Sequence, residues 1–142
     1  MMTPSVIETY MMERELQRLI FELARCMDQR DIEGLRNLFT EDAVFEKGGS
    51  PLVGLDAIMR FIGEIPVTNR MLHIYTNIVI DCVDPDHARS RSNYVAYSRS
   101  STAEDRRAAL IPVSIGNALD EFRLTPTGWR IAKRTLVYIA NA

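Results

Sequence analysis

A chain of 142 residues fits one domain around one core, and 46% hydrophobic with 25% charged residues excludes a disordered or low-complexity chain. A formal net charge of -2, with arginines scattered rather than clustered, argues against a nucleic-acid partner. No apolar run reaches the roughly 18 residues of a membrane span, and Glu8, Glu13 and Glu15 stand where a secretory signal would be apolar, so the chain reads as cytoplasmic.

Thr3 followed by Pro4 predicts a helix start, with a Ser5/Glu8 capping box as the alternative two residues later. From Ile7 through Met11, Met12, Leu16, Leu19, Ile20, Leu23 and Met27 the apolar spacing is three and four, which predicts one long amphipathic helix to about Gln29. Asp31 caps a second, shorter helix (IEGLRNLF) that turns Leu35, Leu38 and Phe39 inward. DAVFEKG reads as a short strand, and LDAIMRFIGEI as a third helix closed by Pro66 and Asn69.

Beyond residue 70 the period becomes strand-like. MLHIYTNIVIDCV, HARSRSNYVAYSRS, ALIPVSIGNALDEFRL and GWRIAKRTLVYIA are four long β-rich runs, separated by turns at DPD, AEDRR and TPTG. Helices first and a strand meander afterwards predict an α+β fold, a curved antiparallel sheet wrapped around the first helix over an apolar pocket, in one domain spanning 1–142. In the strand over 71–83 the even positions are almost wholly apolar, and the odd ones (Met71, His73, Tyr75, Asn77, Val79) mix apolar bulk with polar tips. Neither face suits bulk water, so one face should meet the helices and the other a second subunit.

Cys26 and Cys82 fall in no C-x-x-C or C-x-H pattern; they read as two buried thiols in a reducing compartment, with a disulfide between them as the alternative. Only His73 and His87 could join them, which assembles no zinc-type cluster, and no Gly-rich phosphate loop is present. No metal or other cofactor is expected.

Four stretches in this order, MDQRDIEGLRNLFTEDAVF, GLDAIMRFI, HIYTNIVID and DEFRLTPTGWRIAKRTL, resemble the SnoaL-like branch of the nuclear transport factor 2-like superfamily over residues from about 20 to 136. The resemblance implies a cone-shaped fold, with three N-terminal helices on the concave face of a curved, mainly antiparallel sheet, and homodimers formed through the convex face. Members of that superfamily include scytalone dehydratase, steroid isomerases, polyketide cyclases, β subunits of ring-hydroxylating dioxygenases and non-catalytic binding modules, so fold alone does not decide chemistry.

In the eliminating relatives an aspartate late in the first helix pairs with a histidine on the strand after the third helix, and Asp28 and His73 occupy those positions here. A carboxylate bonded to an imidazole fixes its tautomer and stabilises the imidazolium formed on proton abstraction. The competing reading makes Asp28 a solvated helix-end carboxylate and His73 an interior packing residue. Arg134 either holds a substrate oxygen or forms an ion pair with Asp28 or Asp120. Tyr75 and Tyr97 are candidate donors to a ligand oxygen; Asn77 either orients His73 or satisfies sheet backbone; Met71 and Met27 are candidate apolar lining.

The chain also departs from its relatives. Met27 stands where scytalone dehydratase has a tyrosine, that enzyme's second histidine has no counterpart, and Ala118 replaces a tyrosine common two residues before Asp120. Trp129 reads as packing, His87 as a turn residue, and the arginines at 89, 91 and 99, with Arg106 and Arg107 beyond, as a solvated sheet edge. The expected function is a cofactor-independent lyase or isomerase acting on a small hydrophobic carbonyl- or hydroxyl-bearing molecule. The alternative is a non-catalytic binding or dimeric assembly module, including a dioxygenase β-subunit-like role.

Overall fold

The computed structural model describes residues 3–100 and 111–141, with only the backbone of Ser100 and Asn141. The AEDRR turn, with Arg106 and Arg107, lies outside the described residues. The chain runs α1 (Val6–Gln29), α2 (Ile32–Arg36), β1 (Phe39–Glu46), β2 (Leu52–Val53), α3 (Leu55–Gly63), β3 (Asn69–Asp84), β4 (His87–Ser100), β5 (Ile111–Thr125) and β6 (Gly128–Asn141). The strands form one curved, unclosed sheet in the order β2-β1-β6-β5-β4-β3, antiparallel except where β1 runs parallel to β6. This is the α+β architecture expected, with turns at DPD and TPTG.

Helix α1 begins on the capping box rather than on Thr3-Pro4. The Glu8 amide donates to Ser5 Oγ at 3.2 Å and the Ser5 amide to Glu8 Oε2 at 2.7 Å, so two otherwise orphaned donors are satisfied reciprocally. Its apolar stripe is buried from Leu16 to Cys26, whereas Ile7 and Met11, in the same stripe, are exposed. The helix ends at Arg30, which adopts φ 58° and sends its guanidinium to the carbonyls of Ile65 and Pro66 after α3. Two parts of the molecule that frame one end of the sheet are thereby tied together.

The second helix is shorter than its sequence suggests. Phe39 pairs with Ile131 in parallel register, and the Ile131 amide donates to the Leu38 carbonyl at 2.7 Å, so strand pairing takes the backbone that IEGLRNLF would spend on helix. Leu16, Ile20, Leu35, Ile58, Phe122 and Ile131 are the largest apolar side chains withdrawn completely from water. Each contributes about 1.5–3 kcal/mol of hydrophobic stabilisation. Trp129, 8% exposed, packs at the edge of this core.

Strand β3 changes phase at Asn77. Asn77 has φ 53°, and the pairing with β4 shifts between Thr76 and Val79, which marks a β-bulge. His73 and Tyr75 point toward the helices before it; Ile78 and Ile80 do so after it. Asn77 therefore does not share the face of His73 and Tyr75. It is exposed, and its Nδ2 donates to Asn93 Oδ1 at 2.9 Å, while Asn93 Nδ2 donates to Asn117 Oδ1 at 2.8 Å across the sheet. Around this ladder the outer face exposes Leu72, Ile74, Val79, Ile115, Leu119 and Val137.

The cysteines are both free; Cys26 is buried as expected, but Cys82, beside a second irregularity of β3, is exposed. Burial pushes both thiols above the ordinary range. Among the described residues no helix is long and apolar enough to cross a membrane.

Candidate active site

Between α1, α3 and the inner sheet face lies a cavity of about 170 Å³. Leu23 and Met27 of α1, Phe39 and Phe45 of β1, and Phe61 and Ile62 of α3 form its apolar side. The sheet supplies the polar side: His73, Tyr75, Tyr94, Ser114, Arg134 and Tyr138. Strand pairing explains the grouping, because Tyr75 lies opposite Tyr94, His73 opposite Ala96, and Gly116 between Tyr94 and Tyr138.

Asp28, in the last turn of α1, meets His73 directly. Asp28 Oδ1 is 2.7 Å from His73 Nδ1, and both carboxylate oxygens accept the His73 backbone amide at 3.1 Å. A carboxylate near a helix C-terminus opposes the macrodipole, a cost of about 0.3–1 kcal/mol, and the imidazole and strand amide offset it. Because a carboxylate only accepts, Nδ1 carries the proton of this bond, which in a neutral imidazole places the lone pair on Nε2. The two side chains are 14% and 19% exposed, and the ring lines the cavity. The pair thus combines a fixed tautomer with a largely water-excluded base.

Arg134 forms the ion pair with Asp120 and also lines the cavity. Its Nη1 donates to Asp120 Oδ1 and Oδ2 at 3.0 and 3.1 Å, with the two residues 3% and 1% exposed. Burial pushes the Asp120 carboxyl up, and the Arg134 charge and hydrogen bonds pull it back. The same guanidinium lines the cavity with its carbon 5.0 Å from the Tyr75 ring centroid, and Nη2 finds no hydrogen-bond partner among the described residues. Burial raises the Tyr75 hydroxyl above its ordinary value, so it stays a neutral donor.

Tyr94 closes the group, 6.1 Å from Tyr75 between ring centroids, with its hydroxyl 2.8 Å from Ser114 Oγ. Among the described residues no cluster of three or more His, Cys, Asp or Glu is placed to hold a metal ion.

Of the residues singled out from the sequence, Asp28, His73, Tyr75, Arg134 and Met27 come together here. Three do not. Tyr97 pairs with Leu72 and therefore lies on the outer face, Asn77 is carried out by the bulge, and Met71, on the inner register, does not reach the cavity wall. Ala118 is fully buried between Ser92 and Leu136, and it is Leu136 that reaches the cavity. Tyr94, Ser114, Tyr138 and Phe61 were not singled out. The first lies three residues from Tyr97 and so on the opposite face of β4, but the sequence does not say which of the two faces is inside.

A family model described as SnoaL-like domain matches residues 9–135. An uncharacterized protein of Mycobacterium tuberculosis strain H37Rv is 30% identical over 84% of this chain and 80% of its own. Two solved structures from Novosphingobium aromaticivorans are similar in fold. A candidate scytalone dehydratase is 23% identical, covering 94% of this chain and 88% of its own, with a TM-score of 0.83. The β subunit of a candidate aromatic-ring-hydroxylating dioxygenase is 16% identical, covering 94% and 93%, with a TM-score of 0.77. With helices, sheet order and family model in agreement over nearly the whole chain, this protein belongs to the SnoaL-like family, on the nuclear transport factor 2-like fold.

Proposed function

We propose that this single-domain protein is a cofactor-independent lyase or isomerase acting on a small hydrophobic molecule that bears a carbonyl or hydroxyl group. The observation that carries the proposal is the 2.7 Å contact between Asp28 and His73 Nδ1 at the wall of a largely apolar cavity. His73 Nε2 takes a proton from a carbon next to a carbonyl or a leaving group, and Asp28 stabilises the imidazolium. The Arg134 guanidinium, with Tyr75 beside it, stabilises the oxygen on which charge develops. The imidazolium then returns its proton to a departing hydroxyl, completing a dehydration, or to another carbon, completing an isomerisation.

The test is a panel of β-hydroxy ketones and unsaturated ketones, followed by loss of water or shift of the double bond. Asp28→Asn and His73→Gln should each lower the rate of any converted compound by about 10²–10⁴-fold. Equal rates in wild type and both variants would remove the dyad from the mechanism.

A second reading, a dimeric assembly module of the dioxygenase β-subunit kind, is favoured by the exposed apolar residues of the outer sheet face. Homodimerisation through that face is compatible with either reading. The two free thiols suit the cytoplasm.

A further inference from the structure

Strand β1 brings a lysine to one end of the cavity. Phe45 lines the cavity, and Lys47, two residues further on, comes out on the same side, its ammonium 4.1 Å from the centroid of the Phe61 ring. Phe61 lines the cavity yet is only half-buried, so one phenyl ring separates the interior from Lys47 and the water around it. Gly48 and Gly49 follow with φ of 86° and 72°, a left-handed path open to glycine. That path lays the backbone against Tyr138, another lining residue: a Cβ on Gly48 would stand 3.8 Å from its ring. Lys47 is half-buried and does not itself line the cavity. Its neighbour Glu46 is taken by Lys133 at 3.3 Å, and among the described residues Lys47 has no carboxylate partner. A cation over a phenyl ring in contact with water is held weakly, and a charge-assisted hydrogen bond to an anion is stronger.

We infer that Lys47 anchors an anionic group on the ligand: the cavity holds the apolar, carbonyl-bearing part, and a carboxylate or phosphate at the other end meets the Lys47 ammonium beside Phe61. The shared chemistry is a terminal anionic oxygen group, because a lysine ammonium is a point charge that suits planar and tetrahedral anions alike. The strand order gives the arrangement its polarity. His73 lies on β3 and Lys47 just beyond β1, with β6, β5 and β4 between those strands. The acid–base end and the anion end therefore stand on opposite sides of the cavity. The inference names the substrate class of the site already described and rests on that reading for the carbonyl end. The anchoring contact itself takes no part in proton transfer: the ammonium turns from the ring face to the anion while its apolar stem stays packed.

Cyclohexanones that carry, opposite the carbonyl, alkyl chains of graded length ending in a carboxylate, a phosphate or a methyl ester test this by titration calorimetry with the whole protein. At the best-fitting length an anion should bind about three- to tenfold more tightly than its ester, and the stronger of the two anions names the source of the charge. Lys47→Met keeps an apolar stem and drops the charge, so it should weaken the anion to the level of the ester and leave the ester unchanged. Lys47→Arg should keep the preference. Anions and esters binding alike at every length, a preference that survives Lys47→Met, anion and ester weakened together, or no anion binding at all overturns the inference. The third of these outcomes would mean that Lys47 only holds the Phe61 ring in place. The two readings separate, because Asp28→Asn should leave the anion preference intact. Asp28-dependent turnover without that preference leaves the dyad standing and the anchor fallen, and anion preference without turnover does the reverse.

Discussion

At the scale of single residues, the buried pair Asp120–Arg134 should be the most sensitive point outside the dyad. Asp120→Ala leaves a guanidinium 3% exposed without its counter-charge, a loss of about 3–5 kcal/mol by denaturant unfolding. Tyr75 gives a pH-dependent prediction. Burial raises its folded pKa above the ordinary 10.0, so the folded state holds this proton more tightly than the unfolded chain does. The resulting stabilisation is complete below pH 10 and is lost as pH rises through the folded value. Tyr75→Phe should therefore flatten the fall of stability above about pH 10. Sequence reasoning reached Asp28 and His73 through their likeness to a family pattern, since 45 residues separate them and no spacing rule links them. It left Arg134 between two roles because pairing with Asp120 and facing the cavity depend on opposite sides of one guanidinium. That geometry exists only once β5 and β6 are in register.

At the scale of elements, the bulge of β3 and the close approach of β5 to β6 determine which side chains meet. Asn77 sits at φ 53°, where asparagine is tolerated and a β-branched residue is not. Asn77→Val should cost about 1–2 kcal/mol from the backbone alone, with Asn77→Gly nearer to neutral; thermal unfolding of both variants separates strain from the lost Asn93 bond. Gly116 is required for a different reason. A Cβ there would lie 2.2 Å from the Val137 carbonyl oxygen, so Gly116→Ala should push the two strands apart, destabilise by about 1–3 kcal/mol and disturb the wall where Tyr94 and Tyr138 flank it. Helix positions and turns were legible because apolar spacing and capping residues are local signals. The phase change at Asn77 was not: alternation along 71–83 reads equally well without a bulge, and one inserted residue reverses every side chain beyond it. Unbroken alternation therefore puts Asn77 on the face of His73 and Tyr75. Tyr97 lies on the outer face because the cross-strand register sets it opposite Leu72, and that register is not visible in the sequence.

At the scale of the whole molecule, helices cover one face of the sheet and leave the other with apolar side chains around the Asn77–Asn93–Asn117 ladder. If that face joins two copies, Ile74→Lys with Leu119→Lys should convert a dimer to a monomer in analytical ultracentrifugation without unfolding it, since both side chains are exposed in the protomer. The α+β order and the apolar character of both faces of β3 were readable from the chain, because they follow from the sum of many local patterns.

The central claim is that Asp28 and His73 form an acid–base pair inside the cavity, and deuterium exchange tests it most directly. Cyclohexanone incubated with the protein in D₂O should lose the protons next to its carbonyl to exchange, and Asp28→Asn should slow the protein-dependent rate by about 10²–10⁴-fold. Exchange that proceeds equally in the variant, or no exchange from bound cyclohexanone in wild type, would contradict the account and leave the protein as a binding or assembly module.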